Sequence, residues 1–141
     1  MDEPLEELKE KVVKEELPHG SETILLVEDE EVVRKLAVRI LKRQGYTVLE
    51  GSHGNEAIDV CKQHKGPVHL LLTDVVMPQM SGRELAERIT SIRPGIKILY
   101  MSGYTDNTIA HHGILDKGMN FIQKPFTVDG LARKVREVLD K

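Results

Sequence analysis

Hydrophobic residues along the chain alternate between short runs and helical stripes, starting near residue 23. Short apolar runs bounded by turn residues predict five strands, over 24–28, 46–50, 70–74, 97–101 and 120–123. Apolar residues spaced three and four apart predict helices between them, over 31–44, 55–64 and 83–92, a weaker one near 106–115, and a last one from a Thr127 cap to about 140. This alternation predicts an α/β fold with a doubly wound parallel sheet.

The helical stripes also predict which side chains face the sheet. The expected inward residues are Val33, Leu36, Ala37, Ile40 and Leu41 on the first helix, then Ala57, Val60, Cys61, Leu85, Ile89, Leu131, Val135 and Val138 on the later ones. The helix near 106–115 has a poor apolar pattern, and Gly113 interrupts it. We therefore expect it to be the most mobile element.

Residues 1–22 differ in character from the rest of the chain. Pro4 sits where a first helical turn would begin, and Leu5, Leu8 and Val12 share one face before Pro18 interrupts the pattern. The segment is either a linker or short amphipathic helix, or a solvated and frayed tail. We expect a single domain over 23–141.

Composition narrows the possible functions. The 141 residues are 40% hydrophobic and 30% charged with a formal net charge of −3, which fits one globular domain and argues against a nucleic-acid surface. No apolar run is long enough to span a membrane, so we expect no membrane contact. The single Cys61 cannot form an internal disulfide, which fits a cytoplasmic protein, and we expect its side chain to pack in the core. The six histidines lack the spacing of metal ligands.

Polar and charged residues gather where the predicted strands end. The first strand ends in Glu28-Asp29-Glu30, the third in Asp74, the fourth in Ser102-Gly103 and the fifth in Lys124-Pro125. Parallel strands end at one edge of the sheet, so these groups should meet there. A carboxylate cluster without His or Cys favours a hard cation, Mg²⁺ above all. Each motif alone is ordinary, since acids often cap helices, but four together are specific.

These parts suit phosphoryl transfer to a carboxylate. An aspartate can act as a nucleophile and form an aspartyl phosphate, with a metal ion and donors around the developing charge. Ser102 and Lys124 would supply a hydroxyl and a mobile cation. The chain has no glycine-rich phosphate loop and no apparent Ser-His-acid set, so a nucleotide is not the expected ligand.

These motifs resemble those of the receiver domains of two-component response regulators, over residues 23–140. They are Ile24-Leu25-Leu26-Val27-Glu28-Asp29-Glu30, Thr73-Asp74-Val75-Val76-Met77-Pro78 with Ser81-Gly82, Met101-Ser102-Gly103-Tyr104, and Lys124-Pro125-Phe126. The resemblance implies a five-stranded, flavodoxin-like sheet of order 2-1-3-4-5. It also implies that Asp74 accepts a phosphoryl group from a phosphohistidine on a histidine kinase or a histidine phosphotransfer domain.

The resemblance further implies roles for the surrounding residues. Asp29 would bind Mg²⁺ directly and Glu28 through water, with the Asp74 carboxylate and the Val76 carbonyl as further ligands. Lys124 would contact the phosphoryl group, Ser102 would move toward it, and Phe121 would occupy the aromatic switch position or simply pack in the core. Phosphorylation would then change the surface of the fourth helix, fifth strand and fifth helix, through which the domain could form a homodimer.

Two positions depart from the commonest family pattern: Glu28 stands where Asp is usual, and Ser102 where Thr is usual. Both keep the oxygen chemistry, but Glu28 is one methylene longer. The residue sequences of these motifs are most similar to those of the receiver domains of hybrid sensor histidine kinases. The chain is thus expected to be a phosphoacceptor rather than an enzyme, either stand-alone or cut from such a kinase, with residues 1–20 then the linker from the catalytic domain.

Two alternatives remain at the level of the sequence. The first is a receiver-like interaction module that takes no phosphate, against which the intact acids, Ser102 and Lys124 argue. The second is a metal-dependent phosphohydrolase with an Asp nucleophile. Such enzymes commonly carry a second acid two residues beyond the nucleophile, where this chain has Val76.

Overall fold

The computed structural model describes residues 17–103 and 119–141. The strands there are β1 (Thr23–Val27), β2 (Thr47–Gly51), β3 (Leu70–Asp74), β4 (Lys97–Ser102) and β5 (Asn120–Gln123). The helices are α1 (Glu31–Arg43), α2 (Gly54–Gln63), α3 (Gly82–Ile92) and α4 (Val128–Leu139). The predicted helix near 106–115 and the stripe of Leu5, Leu8 and Val12 lie outside the described residues. No helix in the described ranges is long and apolar enough to cross a membrane.

The five strands form one parallel sheet in the order β2-β1-β3-β4-β5. The predicted doubly wound topology is therefore confirmed. Every residue of β1 and β3 is buried, as expected for central strands covered on both faces. The edge strand β5 alternates between partly buried and exposed positions, and β2 is exposed or partly buried up to the buried Gly51. The two central strands end side by side, which brings the acidic end of β1 next to Asp74.

Alternate residues of the strands feed two separate hydrophobic clusters. On one face Ile24, Leu26 and Leu72 pack with the buried sides of α1 and α4. On the other face Leu25 and Leu71 pack with the buried sides of α2 and α3. Packing on both faces consequently fixes the position of the central strands, and with them the side chains at the carboxyl edge of the sheet.

For the five strands and four helices that the structure describes, the predicted boundaries agree within one residue. The predicted Thr127 cap accepts a hydrogen bond from the Gly130 N–H. Two predicted core residues of α1 are wrong. Leu36 is 46% exposed, and Val33 is only partly buried and lies outside the core cluster, whereas Val38 is buried. The helix α1 is rotated so that its buried stripe runs through Ala37, Val38, Ile40 and Leu41. Val60 is only partly buried, at the margin of its cluster.

The segment just before β1 is bonded to the body of the domain. Leu17 is buried, and Gly20 N–H donates to the carbonyl of Gln44. The Arg136 guanidinium of α4 holds the Glu22 carboxylate through two bonds of 2.6 and 3.1 Å. That contact lowers the pKa of Glu22 to about 2, against a raising effect of burial. The chain therefore joins α4 before it enters the sheet.

Gly82 begins α3 at a place where the backbone of the helix touches the end of β3. Its N–H donates to the Val75 carbonyl at 2.9 Å, and a Cβ added there would lie 1.8 Å from the Asp74 carbonyl oxygen. The Ser81 hydroxyl caps the helix by accepting from Glu84 N–H. A residue without a side chain is thus required at Gly82 for Asp74 to occupy its position.

We expect Gly82→Ala to destabilise the fold by about 1–3 kcal/mol, because the added methyl group forces β3 and α3 apart. Helix propensity alone would make alanine more stable than glycine by about 1 kcal/mol. A lower free energy of unfolding in Gly82→Ala would therefore have to come from the clash of the added methyl group with the end of β3. The free energy of unfolding in urea measures it. Arg88→Ala, at an exposed position of the same helix, should stay within about 0.5 kcal/mol of the parent chain. Equal or increased stability in Gly82→Ala would contradict the close approach.

Candidate phosphoacceptor site

The carboxyl ends of β1, β3 and β5 place three charged side chains together. Glu28 follows β1, Asp74 ends β3, and Lys124 follows β5. The Lys124 Nζ lies 2.6 Å from Asp74 Oδ1 and 3.2 Å from Glu28 Oε2. The Glu28 and Asp74 side chains are almost wholly buried, and Lys124 is 18% exposed. One ammonium group therefore bridges two buried carboxylates.

The loop after β1 completes an acidic cluster. One carboxylate oxygen from each of Glu28, Asp29 and Asp74 lies within 4.8 Å of the other two. Glu28 Oε1 accepts a hydrogen bond from the Glu30 N–H at 3.1 Å, while Asp29 is exposed. The cluster therefore has a fixed buried side, formed by Glu28 and Asp74, and an open side, formed by Asp29.

Burial raises the pKa of Asp74 to about 9, and the neighbouring Glu28 carboxylate adds to this, whereas Lys124 acts to lower it. Burial also acts to lower the pKa of Lys124, but the bond to Asp74 and the two negative charges outweigh it, so the pKa of the lysine is raised. Without a further cation, burial and the Glu28 carboxylate thus favour the protonated form of Asp74. One lysine does not compensate two buried acids.

The residues present fit a divalent cation. Asp74 Oδ2 is buried and has no hydrogen-bond partner among the described residues, although a buried carboxylate oxygen normally has one. The surrounding donors are all oxygen atoms, which is the set that Mg²⁺ prefers. An added cation would both satisfy Oδ2 and favour the ionised form of the carboxyl group.

A cleft of about 440 Å³ opens above this cluster. Asp29, Asp74 and Lys124 form its polar side, whereas the remaining wall is largely apolar and comprises Val33, Leu36, Val76, Pro125 and Phe126 together with Glu30 and Gly103. The exposed position of Leu36 is thereby explained, since its side chain lines the cleft instead of the core. Sequence periodicity could not find this wall, because exposed apolar residues carry the same signal as buried ones.

Ser102 and Phe121 lie at the end of β4 and within β5. Ser102 is buried, and its carbonyl accepts a hydrogen bond from Lys124 N–H at 2.7 Å. Phe121 is 44% exposed, so it is not a core residue in this structure. The predicted site residues thus comprise the cluster of Glu28, Asp29, Asp74 and Lys124, the buried Ser102 bonded to the Lys124 backbone, and two half-exposed residues, Val76 and Phe121.

The raised pKa of Asp74 makes stability depend on pH. Between the ordinary carboxyl pKa of 3.8 and about 9, the folded chain binds more protons than the unfolded chain, so stability falls as pH rises. Without Mg²⁺, Asp74→Asn should remove this slope and gain about 1–3 kcal/mol at pH 7. Urea denaturation in EDTA at pH 5, 7 and 8.5 measures it.

An exposed carboxylate serves as the control for this measurement. Asp59→Asn on α2 should leave stability within about 0.5 kcal/mol at every pH. A parent chain whose stability does not decrease between pH 5 and 8.5 relative to Asp74→Asn would show that Asp74 is ionised in the folded protein.

Comparisons with known proteins agree with this geometry. The family model described as "Response regulator receiver domain" matches residues 24–136. The chain is 39% identical over 140 residues to the sensor kinase CckA of Brucella abortus, covering 99% of this chain and 15% of the kinase. It is 34% identical over 116 residues to the response regulator receiver protein CpdR of the same organism, covering 82% of this chain and 95% of that protein.

A solved structure gives the same result. The crystal structure of the receiver domain from the hybrid histidine kinase CckA matches with a TM-score of 0.69 and 32% identity, covering 83% of this chain and 98% of that one. A receiver domain protein from Methanospirillum hungatei matches with a TM-score of 0.72 and 27% identity, covering 86% and 95%. The chain therefore belongs to the response regulator receiver domain family of two-component signalling.

Proposed function

We propose that Asp74 accepts a phosphoryl group from a phosphohistidine on a histidine kinase or a histidine phosphotransfer domain. The observation that carries this proposal is the Asp74 carboxylate itself. It is buried at a strand end, holds Lys124 at 2.6 Å through Oδ1, keeps Oδ2 free of protein partners in the described ranges, and faces a cleft. A structural carboxylate would have both oxygens satisfied.

In the transfer step, a carboxylate oxygen of Asp74 attacks the phosphorus atom as the bond from phosphorus to the imidazole nitrogen breaks. The imidazole leaves with that electron pair, and the acyl phosphate forms on Asp74. Lys124 is already between Asp74 and Glu28, so its ammonium can pair with the phosphoryl oxygens after a small movement. The product is one phosphoryl group per chain, which makes the domain an acceptor in a relay.

Asp29, Glu28 and Asp74 would hold Mg²⁺, with the backbone carbonyl of Val76 as a further ligand. We assign Asp29 to direct contact, because it is exposed at the open side of the cluster. Glu28 is assigned to contact through water, because its two oxygens already bind Glu30 N–H and Lys124. When bound, the ion supplies positive charge that favours the ionised form of Asp74 and offsets charge on the transferred group.

Ser102 and Phe121 are the proposed switch. The buried Ser102 hydroxyl would move toward the phosphoryl oxygens, and the partly exposed Phe121 would turn into the space that it leaves. The surface of β5 and α4 would then change together with the predicted helix near 106–115, which lies outside the described residues. Phosphate must favour the second packing by a few kcal/mol for the populations to invert.

The partner has to reach Asp74 across the apolar wall of the cleft. Leu36, Val76 and Phe126 offer it an apolar contact beside the acidic cluster. We propose that residues 1–22 connect the domain over 23–141 to a hybrid sensor kinase, or that the domain acts alone in the cytoplasm. A homodimer through the switched surface is a further proposal, without nucleic-acid or membrane contact. Recognition of the partner would thus be separate from the output surface.

Incubation with Mg²⁺ and acetyl phosphate should add one phosphoryl group to the parent chain and none to Asp74→Asn. Intact mass measures it. A single addition limited to the parent chain would identify Asp74 as the acceptor. No addition to either chain, from acetyl phosphate or from a kinase, would favour an interaction module. Continued release of phosphate beyond one equivalent per chain would favour a phosphohydrolase.

Asp29→Ala should lower the affinity for Mg²⁺ by at least about tenfold and leave the fold intact, because the exposed carboxylate makes no structural contact in the described ranges. Calorimetric titration with MgCl₂ measures the affinity. Asp59→Ala, which removes the same charge from the exposed side of α2, should have little effect. Equal losses in the two variants would contradict a specific site at Asp29.

A further inference from the structure

We propose that Arg34 is a positioning residue for the acidic loop after β1, and through it for Mg²⁺ binding. The inference rests on the proposed function, since it concerns the same cation site. Arg34 belongs to α1 and contacts neither Asp74 nor Lys124 among the described contacts. It binds the backbone of the loop that carries Glu28 and Asp29.

One hydrogen bond from the Arg34 side chain holds the start of this loop, because Nη1 donates to the Glu28 carbonyl oxygen at 2.8 Å. The end of the loop is held by the Arg34 backbone N–H, which donates to the Glu30 carbonyl at 2.9 Å as in any first helical turn and stays in the Arg34 variants below. A third bond, from Glu30 N–H to Glu28 Oε1 at 3.1 Å, spans the loop from inside. Asp29 lies between these anchor points. Its backbone is consequently fixed by the residues on both sides of it.

Glu50, next to the end of β2, orients the guanidinium from the far side. Its Oε1 lies 3.6 Å from Arg34 Nε, and the Arg34 side chain is only 17% exposed. The neighbouring Gly51 carbonyl accepts the Glu28 N–H at 3.2 Å, so the ends of β1 and β2 are joined at the same point. Arg34 therefore links three elements, namely α1, β2 and the loop after β1.

The exposed Asp29 depends on this arrangement because no hydrogen bond fixes its side chain in the parts of the chain that the structure describes. When no hydrogen bond orients the side chain of a cation ligand, the position of that ligand is determined by its backbone alone. Groups that orient metal ligands commonly affect metal affinity by about 10–100-fold. Loss of the Arg34 bond to the Glu28 carbonyl would let the loop carry Asp29 away from Asp74 and Glu28.

Charge and positioning predict opposite effects, which makes the inference testable. Arg34 is a cation near a cation site, so by Coulomb's law alone its removal should strengthen Mg²⁺ binding. If Arg34 positions Asp29, its removal should weaken the binding. A purely structural role would lower the stability of the fold and leave the affinity of the folded chain unchanged.

The test is the Mg²⁺ affinity of the full chain, from amide NMR shifts during titration with MgCl₂. Without tryptophan in the chain, intrinsic fluorescence is a poor reporter. We expect Arg34→Met to bind Mg²⁺ about tenfold more weakly than the parent chain. Arg34→Lys keeps the positive charge but loses the planar guanidinium group. Its affinity for Mg²⁺ should therefore lie between those of the parent chain and Arg34→Met. Arg39→Met, an exposed position of the same helix, is the matched control with the same charge change.

An affinity of Arg34→Met equal to or tighter than the parent chain would overturn the inference. If that variant does not fold, Arg34→Lys decides: weaker binding supports positioning, and unchanged binding overturns it. A loss of equal size in Arg39→Met would also overturn it. Absence of Mg²⁺ binding in the parent chain would instead overturn the proposed function, so the two failures are distinguishable.

Discussion

The contact of Lys124 with Asp74 and Glu28 is the constraint on which the site depends. Two carboxylates buried at neighbouring strand ends repel each other and lose their water, and one ammonium at 2.6 and 3.2 Å offsets only part of that cost. The rest remains as a raised pKa on Asp74. A divalent cation would relieve this excess of negative charge, while the cores on both faces of the sheet hold the two carboxylates in place.

The same constraint connects the fold to the chemistry. A parallel sheet brings the ends of β1, β3 and β5 to one edge, and Gly82 lets α3 approach closely enough to fix the end of β3. The Lys124 backbone is joined to Ser102 at the end of β4. Backbone hydrogen bonds thus fix the strand ends that carry Glu28, Asp74 and Lys124, whereas Asp29 stands in the loop that the Arg34 side chain contacts.

Much of the fold and of the cluster could be predicted from the sequence. Strand and helix periods are local, and parallel topology then determines that residues after each strand share an edge, which placed Glu28, Asp29, Asp74 and Lys124 together. The rotation of α1 could not be predicted, because it depends on packing against α4, and so Leu36 was assigned wrongly to the core. The bond from Arg34 to the Glu28 carbonyl was also missed, since a contact with the main chain leaves no trace in residue types.

The bond between Arg136 and Glu22 has a consequence for how such a domain is used in larger proteins. It ties the incoming chain to α4 beside the Gly20–Gln44 contact, at the amino edge of the sheet, and the Lys97 ammonium also binds the backbone of Lys141 there. Both ends of the folded unit therefore leave from the side opposite Asp74. A further domain joined at either end would begin on that side, away from the acidic cluster at the carboxyl edge of the sheet.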